Sequence, residues 1–372
     1  MRVVIDYRPA LRQRTGVGEY THQLARALVG LVDDRGSRPV DLTLFSSSWK
    51  DRLSAENGLR GAAVVDRRVP VALLNLAWHR FNWPPAESMA RGAFEVAHSM
   101  HPLLMPARHA ARVVTIHDLN FIAHPERTRA EIRRDYPALA RTHARRADAI
   151  IAVSHFTAAE IQQRFDVPAD RVSVCSPGAP PWTARERPPD AGYVLFFGTL
   201  EPRKNVGGLL DAYERLGARR KDVPRLLLAG QATEAARPWL ERIARPPLDR
   251  LVKHLGYVDP ARRQSLYEGA ICLVQPSFEE GFGITVLEAM TAGVPVVVTD
   301  RGALPEVTAG AGPVVSAENP DELSAAIERL VDDRAFADAC ADRGVARARQ
   351  YRWDLTARRV FETYERAIER RA

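Results

Sequence analysis

The chain has 372 residues, of which 46% are hydrophobic and 27% charged, enough for two domains that each bury a core. Its three cysteines, Cys175, Cys272 and Cys340, are odd in number and lack paired spacing, which excludes a disulfide framework and a cysteine zinc site and fits a reducing cytoplasm. The sequence has no apolar run of about 18 residues and begins with a charged strand rather than a signal peptide, so we expect a cytoplasmic protein without a membrane span.

The formal net charge is +7, from 53 Lys plus Arg against 46 Asp plus Glu, and such a balance favours anionic partners. We do not expect nucleic acid among them. The basic residues are spread along the chain, no nucleic-acid-binding motif occurs, and aromatic residues make up 7% of the chain.

Short apolar runs alternate with helical stretches in both halves of the chain. In the first half we predict strands at Arg2–Asp6, Val40–Phe45, Phe94–Ala97, Arg112–Ile116, Ala149–Val153 and Val172–Cys175. In the second half we predict them at Tyr193–Phe197, Arg225–Ala229, Val252–Leu255, Ile271–Gln275, Val294–Thr299 and Pro313–Val315. Uninterrupted apolar runs are typical of parallel strands covered on both faces. We therefore predict an α/β fold of two Rossmann-like domains facing across a cleft, which is the default ligand site.

A glycine-containing loop follows the first predicted strand. The residues Gly16, Val17 and Gly18 lead into a helix predicted over about Glu19–Val29. Glycine lets the backbone approach a ligand closely, and ligand contacts in an open α/β sheet commonly follow a strand end. Gly16 and Gly18 are therefore candidate ligand-binding residues, although any tight strand-to-helix turn can use such glycines.

A histidine, His117, follows the predicted strand Arg112–Ile116. Its imidazole can donate or accept a hydrogen bond near neutral pH, so it is a candidate for contacts with hydroxyl groups of a ligand. The alternative is a histidine satisfied by hydrogen bonds in the core. The neighbouring Asp118 can contact the same ligand, or it can have a helix-capping or scaffold role instead.

The helix-like stretch Arg127–Arg146 is unusually basic. It contains seven arginines: Arg127, Arg129, Arg133, Arg134, Arg141, Arg145 and Arg146. A solvated helix face is one interpretation. The other is that this face meets an anionic membrane or a lipid-diphosphate acceptor, placing a cytoplasmic protein peripherally at the inner face of the membrane.

Two cations follow the buried-looking strand Tyr193–Phe197. The chain continues Gly-Thr-Leu-Glu-Pro-Arg-Lys-Asn before a helix predicted over Val206–Leu216. Pro202 restricts the backbone ahead of Arg203 and Lys204. Only four lysines occur in the sequence, so Lys204 is a stronger candidate for a specific role than one arginine among many.

A glycine-containing segment, PSFEEGFGITVLEAMTAGVP, begins at Pro276. It predicts a flexible loop after a strand, followed by a helix over Ile284–Ala292. The start of that helix favours a phosphate or another anionic oxygen. Glu280 and Glu288 would repel an anion but can accept hydrogen bonds from sugar hydroxyls. The alternative is that both are ordinary loop and helix carboxylates.

The spacing Glu280-x7-Glu288, with Gly281, Phe282 and Gly283 in between, resembles the E-x7-E motif of retaining glycosyltransferases grouped as glycosyltransferase family 4, which have the GT-B fold. The segment with Arg203 matches the same family. The resemblance extends over essentially the full chain and is strongest from Tyr193 to Pro305.

The resemblance implies transfer of a sugar from a nucleotide diphosphate donor to a glycan or lipid-linked acceptor hydroxyl, with GDP-mannose as the first candidate donor. It implies catalytic roles for His117, Arg203, Lys204 and Glu280. It further implies a donor site that is formed by Gly16, Gly18, Arg203, Lys204, Val258, Glu280, Gly281, Phe282, Gly283, Ile284 and Glu288. Val258 would touch the base, or is a plain core valine. No metal and no cofactor is implied, because the chain lacks the Asp-x-Asp pair of the other glycosyltransferase fold.

We expect an acceptor-side domain over residues 1–178, a nucleotide-sugar domain over 179–351, and a C-terminal helix over 352–372. Ser176–Ala191 is rich in proline and reads as the linker. The resemblance implies that the last helix crosses back to the first domain near Trp353.

Other enzyme classes fit the sequence poorly. The dinucleotide fingerprint G-x-G-x-x-G is absent after the first strand, and neither a G-x-S-x-G elbow nor a Walker loop occurs. A non-catalytic nucleotide-sugar-binding protein remains an alternative, as does a transferase that uses a UDP-, dTDP- or ADP-sugar.

Overall fold

The structure is a computed structural model that describes residues 1–11, 16–33, 35–53, 59–123 and 130–372, with the side chains of 123 and 130–134 left out. The chain forms two compact units. Unit 1 contains residues 1–178 together with 351–372, and unit 2 contains residues 179–350.

Unit 1 is built on a parallel seven-stranded sheet with the order β3-β2-β1-β4-β5-β6-β7. Its strands are β1 (Arg2–Asp6), β2 (Asp41–Ser47), β3 (Ala63–Arg67), β4 (Val96–Ser99), β5 (Ala111–Ile116), β6 (Ala149–Ala152) and β7 (Val172–Val174). The helices that connect them are α1 (Val17–Val29), α2 (Val71–Phe81), α3 (Ala86–Ala90), α4 (Asn120–Ala123), α5 (Ala130–Arg146) and α6 (His155–Phe165).

Unit 2 is built on a parallel six-stranded sheet with the order β10-β9-β8-β11-β12-β13. Its strands are β8 (Tyr193–Phe197), β9 (Leu226–Ala229), β10 (Val252–Gly256), β11 (Ala270–Gln275), β12 (Val296–Thr299) and β13 (Val314–Val315). Its helices are α7 (Val206–Arg219), α8 (Arg237–Ile243), α9 (Leu248–Leu251), α10 (Arg263–Glu268), α11 (Ile284–Thr291), α12 (Leu304–Thr308), α13 (Pro320–Asp332) and α14 (Arg334–Ala348).

The C-terminal helix α15 (Trp353–Arg371) packs in unit 1 against β4 to β7 and α1. Tyr364 on this helix is fully buried and its hydroxyl lies 2.7 Å from Nδ1 of His98 on β4. Thr356 donates a 2.6 Å hydrogen bond to the Ser176 carbonyl. Together these contacts make α15 a core element of unit 1.

Each sheet reverses its winding direction once. In unit 1 the chain moves outward on one side of β1 through β2 and β3, and β4 then pairs with the other side of β1. In unit 2, β8 has β9 on one side and β11 on the other. Ligands of open α/β sheets bind outside the carboxyl ends of the strands at such switch points. The residues after β1, β4, β8 and β11 are therefore the candidates for ligand contacts.

The predicted α/β fold of two Rossmann-like units is confirmed. Strand β3 was not predicted from the sequence. It is an edge strand that contains Asp66 and Arg67 and is exposed or half-buried, so it lacks the apolar run by which the other strands were predicted. Within the predicted basic stretch, Arg127 and Arg129 lie outside the described residues. Among the residues that the structure describes, no helix is both long and apolar enough to cross a membrane.

Candidate active site

Arg203 and Lys204 lie on a short 3-10 turn directly after β8. Pro202 begins the turn, and Asn205 ends it in the left-handed conformation, with φ of 51°. The side chain of Asn205 accepts a hydrogen bond from the Gly208 N–H (3.2 Å) at the start of α7 and donates one to the Ala317 carbonyl (2.9 Å). Because Pro202 restricts the start of the turn and Asn205 anchors its end, the two cations have a defined position near the carboxyl end of β8.

Glu280 lies on the loop after β11 and forms a buried cluster with those cations. Its Oε1 atom accepts hydrogen bonds from Lys204 Nζ, from Gln275 Nε2 at 2.7 Å and from Ser277 Oγ at 2.9 Å. Arg203 Nη1 lies 3.7 Å from Oε2 of the same carboxylate. The loop is also tied to the turn through the backbone, because the N–H of Phe278 donates to the Arg203 carbonyl at 2.8 Å.

The charges of this cluster are set by burial and by proximity. The side chains of Lys204 and Glu280 are 12% and 8% exposed. Burial by itself would raise the pKa of Glu280, but the Lys204 ammonium and the Arg203 guanidinium outweigh it and hold that pKa below its ordinary value. Glu280 is therefore a carboxylate at neutral pH, and it shares its two cationic neighbours with any anion that binds there.

Two glycines fix the backbone around Glu280 and the start of α11. A Cβ atom on Gly302 (φ of +62°) would lie 2.3 Å from the carbonyl oxygen of Glu280. A Cβ atom on Gly283 (φ of +96°) would lie 2.8 Å from the Leu304 side chain. At Gly302 both the conformation and the backbone contact exclude other side chains without a backbone shift, whereas at Gly283 the conformation disfavours them and the Leu304 side chain would have to move.

Glu288, the second carboxylate of the motif, lies on α11 and is 4% exposed. Its Oε2 atom accepts a 2.7 Å hydrogen bond from the Tyr267 hydroxyl, and its Oε1 atom lies 3.3 Å from Arg263 Nη1. The guanidinium of Arg263 lies 5.1 Å from the ring centroid of Phe197 at the end of β8, and that ring stacks on Tyr267. Arg263 and Tyr267 were absent from the sequence-predicted site, although their spacing of four residues places them on one face of α10.

The remaining predicted residues of unit 2 lie in loops and at the start of α11. Gly281 and Phe282 are buried in the loop before α11 and are engaged with other residues of the protein. Ile284 is half-buried at the first position of α11, where the backbone N–H groups have no intrahelical partner. Val258 is half-buried in the loop after β10.

In unit 1, His117 lies at the end of β5 with its ring edge-to-face against Tyr20 at 5.0 Å between centroids. One ring nitrogen bonds to the backbone of Met100, whereas the buried Nε2 atom has no hydrogen-bond partner among the residues that the structure describes. Burial lowers the pKa of His117 to about 4. The ring is therefore neutral at pH 7, with Nε2 available as an acceptor.

The two predicted glycines of unit 1 differ in their surroundings. Gly16 is exposed, has φ of +51° and precedes α1, and a Cβ atom there would meet nothing within 4 Å. Gly18 is buried, and its Cβ would lie 2.6 Å from the Pro9 carbonyl oxygen. Its close neighbour is thus the chain itself, which gives Gly18 a packing role.

A charged cluster that the sequence analysis missed lies at the switch point of unit 1. Asp6, at the end of β1, is fully buried and pairs with Arg8 through hydrogen bonds of 2.8 and 2.6 Å. His101, which follows β4, accepts at Nδ1 from the Leu103 N–H and lies with Nε2 3.2 Å from Asp6. Only the sheet order, which makes β1 and β4 neighbours, brings these residues together.

Among the residues that the structure describes, no group of three or more His, Cys, Asp or Glu side chains is arranged to hold a metal ion. At the unit 2 site, the cationic side chains of Arg203 and Lys204 lie beside Glu280, and that of Arg263 lies beside Glu288.

Two family models match the chain. The model described as "Glycosyltransferase Family 4" matches residues 14–181, and the model described as "Glycosyl transferases group 1" matches residues 191–333. Together they extend over both units.

Two similar curated proteins differ in how much of the chain they share. The O-antigen chain mannosyltransferase B of Escherichia coli is 29% identical over 385 aligned positions, which cover 98% of this chain and all of that protein. The D-inositol 3-phosphate glycosyltransferase of Thermobispora bispora is 32% identical over 248 positions, which cover 60% of this chain and 57% of that protein.

Solved structures share the fold at low sequence identity. A sucrose-phosphate synthase from Thermosynechococcus elongatus superimposes with a TM-score of 0.76 at 19% identity, covering 98% of each chain. The HepE protein of Anabaena, solved in complex with UDP and glucose, superimposes with a TM-score of 0.71 at 18% identity, covering 98% of this chain and 99% of the other.

Proposed function

The chain belongs to glycosyltransferase family 4 and has the GT-B fold, and from this premise we propose that it transfers mannose from GDP-mannose to a glycan hydroxyl with retention of the anomeric configuration. The acceptor that we propose is a growing surface polysaccharide.

The observation that carries the proposal is the buried cluster of Arg203, Lys204 and Glu280 at the β8/β11 switch point. Two fixed cations next to a helix start are suited to a diphosphate. As the bond between the sugar and the diphosphate breaks, negative charge grows on the leaving group. Preorganised cations stabilise that charge in the transition state more than in the ground state.

The proposed reaction needs no nucleophile from the protein. The bond from the sugar C1 to the diphosphate oxygen breaks, and the acceptor oxygen forms its bond to C1 on the same face. The acceptor proton passes to the departing diphosphate. The protein contributes by positioning both substrates and by stabilising charge.

We assign the remaining roles from the chemistry of each group. Glu288 accepts hydrogen bonds from the ribose hydroxyls, and Glu280 accepts from the sugar. His117 is neutral at pH 7, so its Nε2 atom accepts a hydrogen bond from a sugar hydroxyl. Val258 contacts the base. The backbone N–H groups at Gly283 and Ile284 contribute to the diphosphate site. In unit 1, Gly16 gives a ligand access to the backbone before α1, whereas Gly18 supports that loop.

The choice of mannose is supported by the E. coli O-antigen mannosyltransferase, which aligns over nearly the whole chain. The same relative supports polysaccharide assembly. The Anabaena structure contains UDP and glucose, which keeps a UDP-sugar as the competing donor. Three weaker alternatives to GDP-mannose are a dTDP-sugar, an ADP-sugar and a non-catalytic role in nucleotide-sugar binding. Neither the E. coli relative nor the Anabaena structure favours any of them.

The experiment compares thermal unfolding of the purified protein with GDP, UDP, dTDP and ADP. A ligand present at 100 times its dissociation constant adds about 2.7 kcal/mol to the free energy of unfolding, so the preferred base stands out. Transfer from the matching sugar nucleotide is then followed by NMR, and a retained anomeric configuration is the expected result. An inverted product would refute retention, and a nucleotide other than GDP would refute GDP-mannose.

A further inference from the structure

Helix α2 exposes several large apolar side chains. The helix buries Leu74 and Trp78 in the core of unit 1. Four other large apolar side chains of α2 are exposed, together with Trp83 just beyond its end: Val71 (40%), Leu73 (59%), Leu76 (56%), Phe81 (69%) and Trp83 (62%). We call these five side chains the α2 face. A helix with one side in the core normally carries polar residues at its exposed positions. Packing within unit 1 therefore does not explain the exposed apolar side chains of the α2 face.

Two of the exposed apolar side chains, Leu73 and Leu76, lie on the same side of the helix. Leu73, Leu76 and Arg80 follow one another at spacings of three and four residues and so lie along one side of the helix. That side is opposite to the one defined by Leu74 and Trp78. Phe81, the last residue of α2, and Trp83, just beyond it, are exposed at the C-terminal end of the helix. Several large apolar side chains exposed on one short helix and just beyond it are typical of an interaction site.

The surroundings of the α2 face are basic. The sequence contains no Asp or Glu from Arg67 through Ala86. Arg68 and Arg80 are exposed within that stretch. A further cation comes from α5, because Arg146 is exposed and donates through Nη2 a 3.1 Å hydrogen bond to Asn82 Oδ1 at the end of α2.

The charges distinguish between two kinds of partner. A second copy of this chain in a symmetric dimer would place the same arginines of both copies near each other, which is unfavourable. An anionic lipid surface neutralises them, and its acyl chains take up the leucine and aromatic side chains. Tryptophan is also favoured at the boundary between headgroups and acyl chains.

We propose that the α2 face docks the protein peripherally on an anionic membrane. The basic stretch Arg127–Arg146 had already suggested such a contact from charge alone. The described part of that stretch ends beside the α2 face, and α2 supplies the apolar side chains that an interfacial contact needs in addition to charge.

The test is flotation of the full-length protein with phosphatidylcholine vesicles and with vesicles that also contain phosphatidylglycerol. We expect salt-sensitive binding to the anionic vesicles and little to the neutral ones. Leu76→Ser with Phe81→Ser should lower the partition coefficient about a hundredfold, since burying one such side chain is worth about tenfold. Arg68→Glu with Arg80→Glu should lower it as well.

The chain offers matched controls for both changes. Trp49 is 71% exposed outside the α2 face, so Trp49→Ser should bind vesicles normally where Trp83→Ser does not. Arg237 has a side chain that is 82% exposed on α8, and Arg237→Glu controls for the reversed charges. Circular dichroism of each variant shows that it is folded.

Absence of flotation at low salt would overturn the proposal, as would binding that the α2 variants leave unchanged. A concentration-dependent dimer that Leu76→Ser and Phe81→Ser abolish, without vesicle binding, would assign the surface to a second copy instead. The measurement needs no sugar donor, so its outcome is independent of whether the proposed transfer reaction is correct.

Discussion

The Tyr267 hydroxyl donates a 2.7 Å hydrogen bond to Oε2 of Glu288, and both residues are buried. The bond joins helix α10 to the carboxylate for which ribose recognition is proposed. Arg263, one turn earlier on α10, approaches the other oxygen of the same carboxylate. Glu288 is thus oriented by two side chains before any ligand is considered.

We predict that Tyr267→Phe weakens GDP binding about tenfold, or about 1.4 kcal/mol, because a hydrogen bond to a charged group is lost and the carboxylate is less well oriented. Calorimetric titration with GDP and with its 2′-deoxy analogue measures the effect, and the preference for the ribonucleotide should shrink. Tyr193→Phe is the control, since the Tyr193 hydroxyl bonds to the Leu266 carbonyl at 2.7 Å instead. Equal losses for both nucleotides would show that Tyr267 does not act through the ribose.

Removal of either partner of the Lys204–Glu280 pair should destabilise the protein as well as stop transfer. Lys204→Met leaves the Glu280 carboxylate buried with one of its two cations missing, which costs about 3 kcal/mol. The double variant with Glu280→Gln should regain most of that stability, because no uncompensated charge remains, yet stay inactive. Urea unfolding and a transfer assay test the cycle, and transfer by the double variant would remove Lys204 from the mechanism.

Gly302→Ala should disrupt the site through the backbone. Its new Cβ atom would overlap the Glu280 carbonyl oxygen, so Glu280 must move, and we expect transfer to fall at least about tenfold, the effect of about 1.4 kcal/mol on the barrier. Gly310 has a similar φ of +81° but open space around its Cβ. Gly310→Ala should therefore cost only the backbone strain of about 1 kcal/mol and keep its activity, and similar activities of the two variants would contradict this explanation.

Acidification should weaken unit 1 selectively. Burial lowers the pKa of His98 to about 3, and that of His117 to about 4. The unfolded chain therefore binds protons at these sites below about pH 6.5 while the folded chain does not, so stability falls with pH from about 6.5 toward 4. At about pH 4.5 the loss is roughly 2–3 kcal/mol for each histidine.

Hydrogen exchange followed by mass spectrometry at about pH 7 and about pH 4.5 tests this difference. Peptides from β4 and β5 should lose protection relative to peptides from β8 and β9, because His254 is the only histidine in residues 179–350. His98→Gln should reduce the pH dependence, whereas the exposed His109→Gln should not. Equal loss of protection in both units would contradict the assignment.

Residues that follow buried strands were predictable, because an apolar run fixes both the strand and the place where it ends. Tyr193–Phe197 was located in this way, and Arg203 and Lys204 follow it. Their meeting with Glu280 could be expected once β8 and β11 were taken as parallel strands whose carboxyl ends share one edge. The roles of these residues remain predictions.

Contacts that depend on packing were not predictable to the same degree. Arg263 and Tyr267 come from a helix outside the two motifs, and a spacing of four residues is too common to single them out. Asp6 and His101 are 95 positions apart, and their contact requires the order of the strands. The α2 face was not predictable either, since the apolar pattern of this helix does not show which of its apolar side chains stay exposed.

The position of α15 in the core of unit 1 has a consequence for how the protein is made. Residues 351–372 complete unit 1 but leave the ribosome after the whole of residues 179–350. Unit 2 is a continuous segment and can fold as soon as it emerges. Unit 1 is translated first, but its core lacks the buried side chains of Val360 and Tyr364 until α15 has been translated. A chain that stops before Trp353 therefore carries a complete unit 2 attached to an unfinished unit 1.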